Sequence, residues 1–312
     1  MMSSLKPTKF SNLGAEFLMI SAAALFAFGG VIAKIVRESG MSAFRLVEIR
    51  STGAALILLI YAIFNIRPEL KLKRSEIWDM VIFSVIGVAI VQSFYFTAIK
   101  YLYVSVALII EFTAPIWIVL YLRFIRKKQI NPIMWWGVGF AFGGLLLIAQ
   151  IWKGSTLNWF GVLLAFGDAI ALAVYFLKAE KLSKSRSSVS LIVWGLGLSA
   201  LFWAIILPWW SFPFEILSKQ IPLGGNFAES SWPGWFLILL IIIFGTIFPY
   251  LLTIAGLRKL SASTGSVIGM IEPVFAGIIA WIWLNESFNL IQLIGCAIVL
   301  FGIYLADKSK SV

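Results

Sequence analysis

Long apolar runs separated by short polar stretches make up almost the whole chain. Ten of them reach the length a helix needs to cross a bilayer, about 20 mainly apolar residues for about 30 Å of hydrocarbon. They fall at roughly 16–36, 43–64, 77–97, 103–124, 131–151, 159–179, 189–208, 233–254, 262–283 and 289–306. The pattern predicts an all-α integral membrane protein with ten transmembrane helices. Most connections are short, so consecutive helices are expected to be antiparallel neighbours. The exception runs from Trp209 to Trp232 and holds Gly224-Gly225 and Pro213. It is expected to be an extramembrane loop near the interface. Trp135, Trp136, Trp152, Trp159, Trp209, Trp210, Trp232 and Trp235 fall near run ends, where amphipathic rings settle at headgroup depth. The first run follows Lys6 and Lys9 as a signal peptide would. It is longer than a signal's apolar region, however, and its Ala22-Ala23-Ala24 patch lies in the middle rather than at the end. A retained first helix is expected.

Composition fixes the solvent. The 312 residues are 61% hydrophobic and 12% charged, where a soluble domain is about half apolar and a quarter charged. The net charge of +11 is carried in short clusters between apolar runs. That is the layout of membrane-protein loops, so no nucleic-acid partner is expected. With the N-terminus in the cytoplasm, eighteen of the 25 Lys and Arg fall on the cytoplasmic side. Only Arg37, Lys100, Lys153 and Lys219 fall on the other. Both termini are therefore expected in the cytoplasm. The chain has no histidine and a single cysteine, Cys296. This removes HExxH zinc chemistry, Ser-His-Asp triads and an internal disulfide. No enzymatic activity, cofactor or metal is expected.

The second half repeats the first. At an offset of 158, Gly87 falls on Gly245, Lys100 on Arg258, Leu102 on Leu260, Ser105 on Ser263, Pro115 on Pro273, Asn131 on Asn289, Gly137 on Gly295 and Gly144 on Gly302. Upstream the best offset is 147, which places Gly14 on Gly161, Ala22 on Ala169 and Leu25 on Leu172. The difference is absorbed by the longer loop before the eighth run. Two units follow, 1–151 and 152–312, each of five helices. Tandem units with an odd helix count cross the membrane in opposite senses. The charges agree: Arg126-Lys127-Lys128 corresponds to Leu284-Asn285-Glu286, which has no positive charge. Inverted repeats place a solute site near the midplane between the halves.

Polar residues inside the runs are costly and need sorting by depth. Glu16, Lys34, Arg45, Asp79 and Lys178 lie near run ends, where snorkelling to the interface accounts for them. Arg45 and Glu48 are spaced to pair at i, i+3, and Arg50 stays open as a bundle stabiliser or cavity residue. Glu111, Asp168 and Glu272 lie near the middle of their runs and must face protein or water. Each is either a buried, hydrogen-bonded structural acid or part of a transport path. Pro115, Pro249 and Pro273 lack the N–H that would serve the carbonyls of Glu111, Gly245 and Gly269. Such breaks give static kinks or gating hinges. Gln92, Tyr95, Tyr250, Thr253 and Tyr175 are candidates to line the same cavity. Gly29-Gly30 and Gly143-Gly144 read as close-packing sites.

These residues resemble the EamA-type permeases of the drug/metabolite transporter superfamily. The resemblance covers about 14–306 and is carried by the block Gly87 to Leu147 and its echo Gly245 to Leu305. The echo includes Ile271-Glu272-Pro273, Leu284-Asn285-Glu286-Ser287 and Gln292-Leu293-Ile294-Gly295. Asn285 stands where the family usually has the Gly of a Gly-Glu pair, and Arg126-Lys127-Lys128 replaces that element after the fourth helix. Glu111-Phe112-Thr113-Ala114-Pro115 is similar to a segment of threonine/homoserine exporters. The resemblance implies a secondary transporter of the inner (plasma) membrane, a monomer or homodimer in the lipid bilayer, exporting small metabolites such as amino acids or derivatives by alternating access. Nucleotides, sugars, aromatic or cationic compounds moved in either direction are the alternative solutes, and a membrane-embedded transferase is the rival class. For an amino acid, Glu111, Glu272 or Asp168 would meet the ammonium, and Arg50, Lys34 or freed helix ends the carboxylate.

Overall fold

The structure is a computed structural model that describes residues 10–102, 104–150, 152, 158–285 and 289–309. Lys6, Lys9, Lys153, Glu286, Ser287, Lys310 and the side chain of Ser105, which carry parts of the sequence reading, lie outside the described residues. Among the described residues ten helices are long and apolar enough to cross a membrane. They are α1 (Leu13–Glu38), α2 (Ala43–Asn65), α3 (Arg74–Ala98), α4 (Val106–Ile125), α5 (Pro132–Ala149), α6 (Trp159–Ser183), α7 (Ser188–Ile206), α8 (Gly234–Leu257), α9 (Ala262–Leu284) and α10 (Leu290–Lys308). α1 begins and α10 ends on one face, called here the terminal face.

Local chemistry sets where the helices start. Side-chain oxygens of Ser42, Asn131, Asn158, Ser187, Ser261 and Asn289 accept the first free amides of α2, α5, α6, α7, α9 and α10. Each satisfies a donor that the helix itself leaves orphaned. Asn131 and Asn289 are repeat-related, and Asn289 forms a reciprocal capping box with Gln292. Past these starts the helices are apolar on both inner and outer faces. Leu56, Ile60 and Phe64, spaced i, i+4, i+8, form an exposed stripe on α2, as expected where the surroundings are lipid.

The packing follows the repeat. α1 packs on α8 as α6 packs on α3, and α1 on α9 as α6 on α4; α2 pairs with α7 and α5 with α10. α5 and α10 meet through small residues. A Cβ on Gly144 would lie 2.6 Å from the Gly295 carbonyl oxygen, and one on Gly302 would lie 2.4 Å from the Ala141 nitrogen. Backbone contact this close is available only to glycine. Gly29 likewise abuts Gly245, with a built Cβ 2.4 Å from its Cα. A Cβ built on Gly30 or Gly143 would meet nothing within 4 Å beyond its own helix, so close packing is the role of one glycine in each pair, the one on the buried helix face.

The irregularities repeat as well. α4 breaks at Phe112–Thr113 and α9 at Met270–Ile271, which are equivalent at the 158 offset. In α4 the amides of Thr113 and Ile116 donate to Ile110 and Thr113. In α9 the amides of Ile271 and Val274 donate to Ile268 and Ile271. α3 carries a π-helical stretch at Phe83–Ile90 and α8 one at Ile243–Ile247, holding the paired Gly87 and Gly245. Left-handed backbone follows α4 at Lys127 (φ 51°) and α9 at Asn285 (φ 59°), again equivalent positions. The departures from the family's glycine are thus changes of loop chemistry on an unchanged backbone, and Asn is the better non-glycine fit to that conformation.

Several features depart from expectation. Asp79 and Lys178 do not simply snorkel: Lys178 and Lys181 both pair with Asp79 at 2.5 Å, tying α6 to α3. Arg45 makes the i, i+3 pair with Glu48 that the spacing suggested, at 2.6 Å, and beyond it donates to the carbonyls of Leu207 and Pro208 at 3.3 Å. The α7–α8 connection is a folded cap with two paired strands, β1 (Gln220–Pro222) and β2 (Ser231–Pro233), and buried Phe212, Ile221 and Leu223. Lys219 bonds Ser39 after α1, and Asn226 bonds Ile282 of α9.

Candidate functional site

A cavity of about 1030 Å³ lies between the halves. It reaches the face opposite the termini, where its lining includes exposed Lys34, Glu38, Ser42 and Lys100. α1, α3 and α4 contribute from one direction and α6, α8 and α9 from the other, with Arg50 reaching in from α2.

The broken helices supply the acids. Glu111 closes the half-helix Val104–Glu111 of α4, and Glu272 opens the half-helix Glu272–Leu284 of α9. Both line the cavity, beside Pro115 and Pro273. The negative end of the first half-helix dipole adds to the charge of Glu111, so this spot favours a cation twice over. Glu111, Glu272 and Arg50 share this one cavity.

Arg50 has a defined seat. Its Nη2 donates to the Gly245 carbonyl at 3.0 Å and its Nε to Thr246 Oγ1 at 3.1 Å. The Gly245 carbonyl is the one that Pro249, having no N–H, cannot serve. Arg50 thus pins α2 to the π-helical stretch of α8 while its charge faces the cavity. Thr246 Oγ1 in turn donates a hydrogen bond to the Ile241 carbonyl at 2.9 Å.

Phe26, Tyr175 and Tyr250 of the lining join Phe83 behind it in one aromatic cluster from four helices. Phe26 meets Tyr250 edge-on at 5.2 Å, Tyr250 meets Tyr175 at 6.0 Å, and Tyr175 stacks on Phe83 at 5.4 Å. Gln92, also in the cavity lining, has neither amide atom hydrogen-bonded to protein, and neither has the Tyr175 hydroxyl. Such groups are ready to bond a solute or water. Farther toward the terminal face, ion pairs close the bundle: Asp79 with Lys178 and Lys181, and Glu76 with Arg186 at 3.0 Å.

The candidate pathway residues Lys34, Arg50, Gln92, Tyr95, Glu111, Tyr175, Tyr250, Thr253 and Glu272 all line this one cavity. Asp168 and Pro249 do not. Asp168 is fully buried on α6 behind the cavity wall, with neither carboxyl oxygen hydrogen-bonded, and Pro249 is buried within α8. Among lining residues that the sequence reading did not single out are Phe26, Arg37, Phe96 and Lys100. For Arg37 and Lys100 a signal existed: they are positive charges on the side that carries few. Among the described residues no three His, Cys, Asp or Glu side chains gather as a metal site.

Ten membrane-spanning helices in two inverted halves, with a cavity between the halves open to one face and closed to the other, define a membrane transporter. The chain belongs to the EamA-like transporter family, which matches it twice, over residues 13–150 and 159–306. It is 25% identical over 293 residues to the uncharacterized inner membrane transporter YicL of Salmonella typhimurium, covering 92% of this chain and 93% of that one. It is 24% identical to the uncharacterized transporter YwfM of Bacillus subtilis, covering 96% and 95%. A WAT1-related chloroplastic protein of Arabidopsis thaliana is 23% identical over 86% of this chain and 62% of its own length. A solved crystal structure superposes with a TM-score of 0.74 over 95% of this chain and 96% of that one at 15% identity, a likeness of fold alone.

Proposed function

We propose that this transporter exports small metabolites, amino acids or their derivatives, across the inner (plasma) membrane by alternating access, with both termini in the cytoplasm. The observation that carries the reading is the pairing, in one cavity at the level of the helix breaks, of two acids with a seated arginine. An ammonium is favoured at Glu111, where the carboxylate and the half-helix dipole act together, with Glu272 as the second acid. A carboxylate is favoured at Arg50, whose two protein bonds leave part of the guanidinium fork for a ligand. The apolar and aromatic walls suit an uncharged side chain. With the termini in the cytoplasm, the cavity faces outward and the ion pairs of Asp79 and Glu76 close the cytoplasmic side. The inner-membrane location is supported by the positive-charge count and by YicL, which is named for that membrane. A carboxylate that exchanged a proton for solute would couple export to proton entry.

Counterflow of radiolabelled amino acids in proteoliposomes tests the reading. Glu111→Gln and Glu272→Gln are each expected to lower counterflow at least tenfold, an effect of about 1.4 kcal/mol. Unchanged counterflow in both variants would rule out recognition by the two acids.

A further inference from the structure

Away from the cavity, the terminal face carries a separate pocket of about 380 Å³. Its walls come from three places in the chain: the α2–α3 connection of the first half, the α6–α7 turn of the second, and Arg258 at the end of α8. No residue lines both this pocket and the cavity. Exposed Phe64 near the end of α2 and exposed Trp78 near the start of α3 bracket the first of these connections. Large exposed aromatics at helix ends mark the lipid interface, so the pocket stands beside the headgroups. Its walls are held by specific bonds. Arg186, only 7% exposed, donates to the carbonyls of Glu69 and Lys71 at 2.8 and 2.6 Å, to the Glu76 carboxylate at 3.0 Å and to the Ser190 hydroxyl at 2.7 Å. Trp194 Nε1 donates to the Leu70 carbonyl at 2.9 Å, and the Ser187 hydroxyl to the Glu69 carboxylate. These bonds clamp the α2–α3 connection onto the start of α7.

The clamped pocket has an excess of positive charge. Five cationic side chains line it against two carboxylates, Glu69 and Glu76. Both acids are engaged, Glu76 by Arg186 and Glu69 by Ser187, and Lys184 is held at 2.9 Å by Glu180, which lies outside the lining. The other three cations, Lys71, Lys73 and Arg258, are exposed and form no salt bridge within 4.0 Å among the described residues. Two of them belong to the first half and one to the second. A phosphate group has oxygens directed several ways and accepts charged donors from all of them. Basic pockets between helices on the cytoplasmic side of a bundle hold anionic headgroups by this chemistry.

We propose that this pocket binds a phosphate group, carried by an anionic lipid or by a free phosphate compound, through Lys71, Lys73 and Arg258. The bound group ties the first half to the second at the terminal face and holds that face closed. The Glu76–Arg186 pair, which closes the same face, is part of the pocket wall, so the ligand adds to a closure already built. Relative movement of the two halves is what opens a transporter of this architecture, and a ligand that bridges them slows it.

The test uses the purified full chain in detergent. Shifts in Tm are read with dioctanoyl phosphatidylglycerol, dioctanoyl phosphatidylcholine, inorganic phosphate and chloride at matched ionic strength. Phosphatidylglycerol is expected to raise Tm saturably, and phosphatidylcholine and chloride to leave it unchanged. Lys71→Gln/Lys73→Gln/Arg258→Gln is expected to weaken the apparent affinity at least tenfold, three exposed charge contacts together, and Lys71→Arg/Lys73→Arg/Arg258→Lys to keep it. Arg123→Gln/Arg126→Gln/Lys128→Gln removes as much charge from the same face outside the pocket and is expected to change affinity less than about twofold. In proteoliposomes, phosphatidylglycerol in place of phosphatidylcholine is expected to slow several-fold the labelling of Thr253→Cys, in a Cys296→Ala background, by an impermeant thiol reagent applied from the terminal face. The pocket variant is expected to abolish that effect. A shift with phosphatidylglycerol but not inorganic phosphate would support the site and assign it to a lipid headgroup; the reverse would support it and assign it to a free phosphate compound; shifts with both would support it for either source. Phosphatidylcholine acting as well as phosphatidylglycerol, no shift beyond that of chloride, or equal losses in the two Gln triple variants would overturn the site. Equal labelling rates in the two lipids would overturn its hold on the closed face. None of these readouts uses a transported solute, so amino-acid export stands or falls by its own test.

Discussion

Arg50 and Pro249 should be energetically coupled through the Gly245 carbonyl. Arg50→Gln removes two bonds, 3.0 Å to the Gly245 oxygen and 3.1 Å to Thr246 Oγ1. A hydrogen bond from a charged donor contributes about 1.5–3 kcal/mol, so a loss of about 3–5 kcal/mol is expected. Pro249→Ala places an N–H one turn beyond Gly245, where a regular helix would use it. In that background the carbonyl has a substitute donor, and Arg50→Gln should cost about 1–2 kcal/mol less. A double-mutant cycle isolates this term. Unfolding of the purified protein in mixed micelles, titrated with sodium dodecyl sulfate and followed by tryptophan fluorescence, gives the four stabilities. Equal costs of Arg50→Gln in both backgrounds would refute the claim that arginine replaces the donor that proline lacks.

Three other expectations are open to simpler assays. Gly302→Ala pushes a Cβ to 2.4 Å from the Ala141 nitrogen, a backbone atom that cannot yield alone, and should destabilise by about 1–3 kcal/mol; Gly139→Ala on the open side of α5, with no neighbour within 4 Å, should be neutral or mildly stabilising by thermal denaturation. Lys127→Gly relieves a left-handed lysine at φ 51° and should raise stability by about 0.5–1.5 kcal/mol, whereas Asn285→Gly should change little. Asp79→Asn removes the partner of Lys178 and Lys181 and should raise several-fold the rate at which an impermeant thiol reagent, applied from the terminal face, labels Thr253→Cys in a Cys296→Ala background; an unchanged rate would show that these pairs do not hold the closed face.

The sequence carried much of this because lipid leaves few options. With no water to satisfy the backbone, every spanning segment must be a helix, so ten apolar runs are ten helices. The repeat was legible for a related reason. Gly137, Gly144, Gly295 and Gly302 stay small because backbones touch there, and Pro115 and Pro273 mark breaks that the two halves share. The cap between α7 and α8 was less legible. Its fold comes from contacts far apart in the chain, such as Lys219 with Ser39 and Asn226 with Ile282, and short loop sequences hold no periodicity that reveals them.

What the sequence determined by itself was therefore the solvent, the helix count, the inverted duplication and the depth of the acids. Apolar length, odd helix number and residue offset fix these without knowledge of any contact. Only the tertiary structure decided which polar side chains share a space. Asp168 and Glu111 read alike along the chain, yet one faces a closed interior and the other the cavity. A rotation of some tens of degrees about the helix axis separates those outcomes, and in lipid neither face is marked by polarity. That structure also revealed Arg37 and Lys100 at the cavity mouth, since only the assembled bundle brings residues 63 positions apart to one rim.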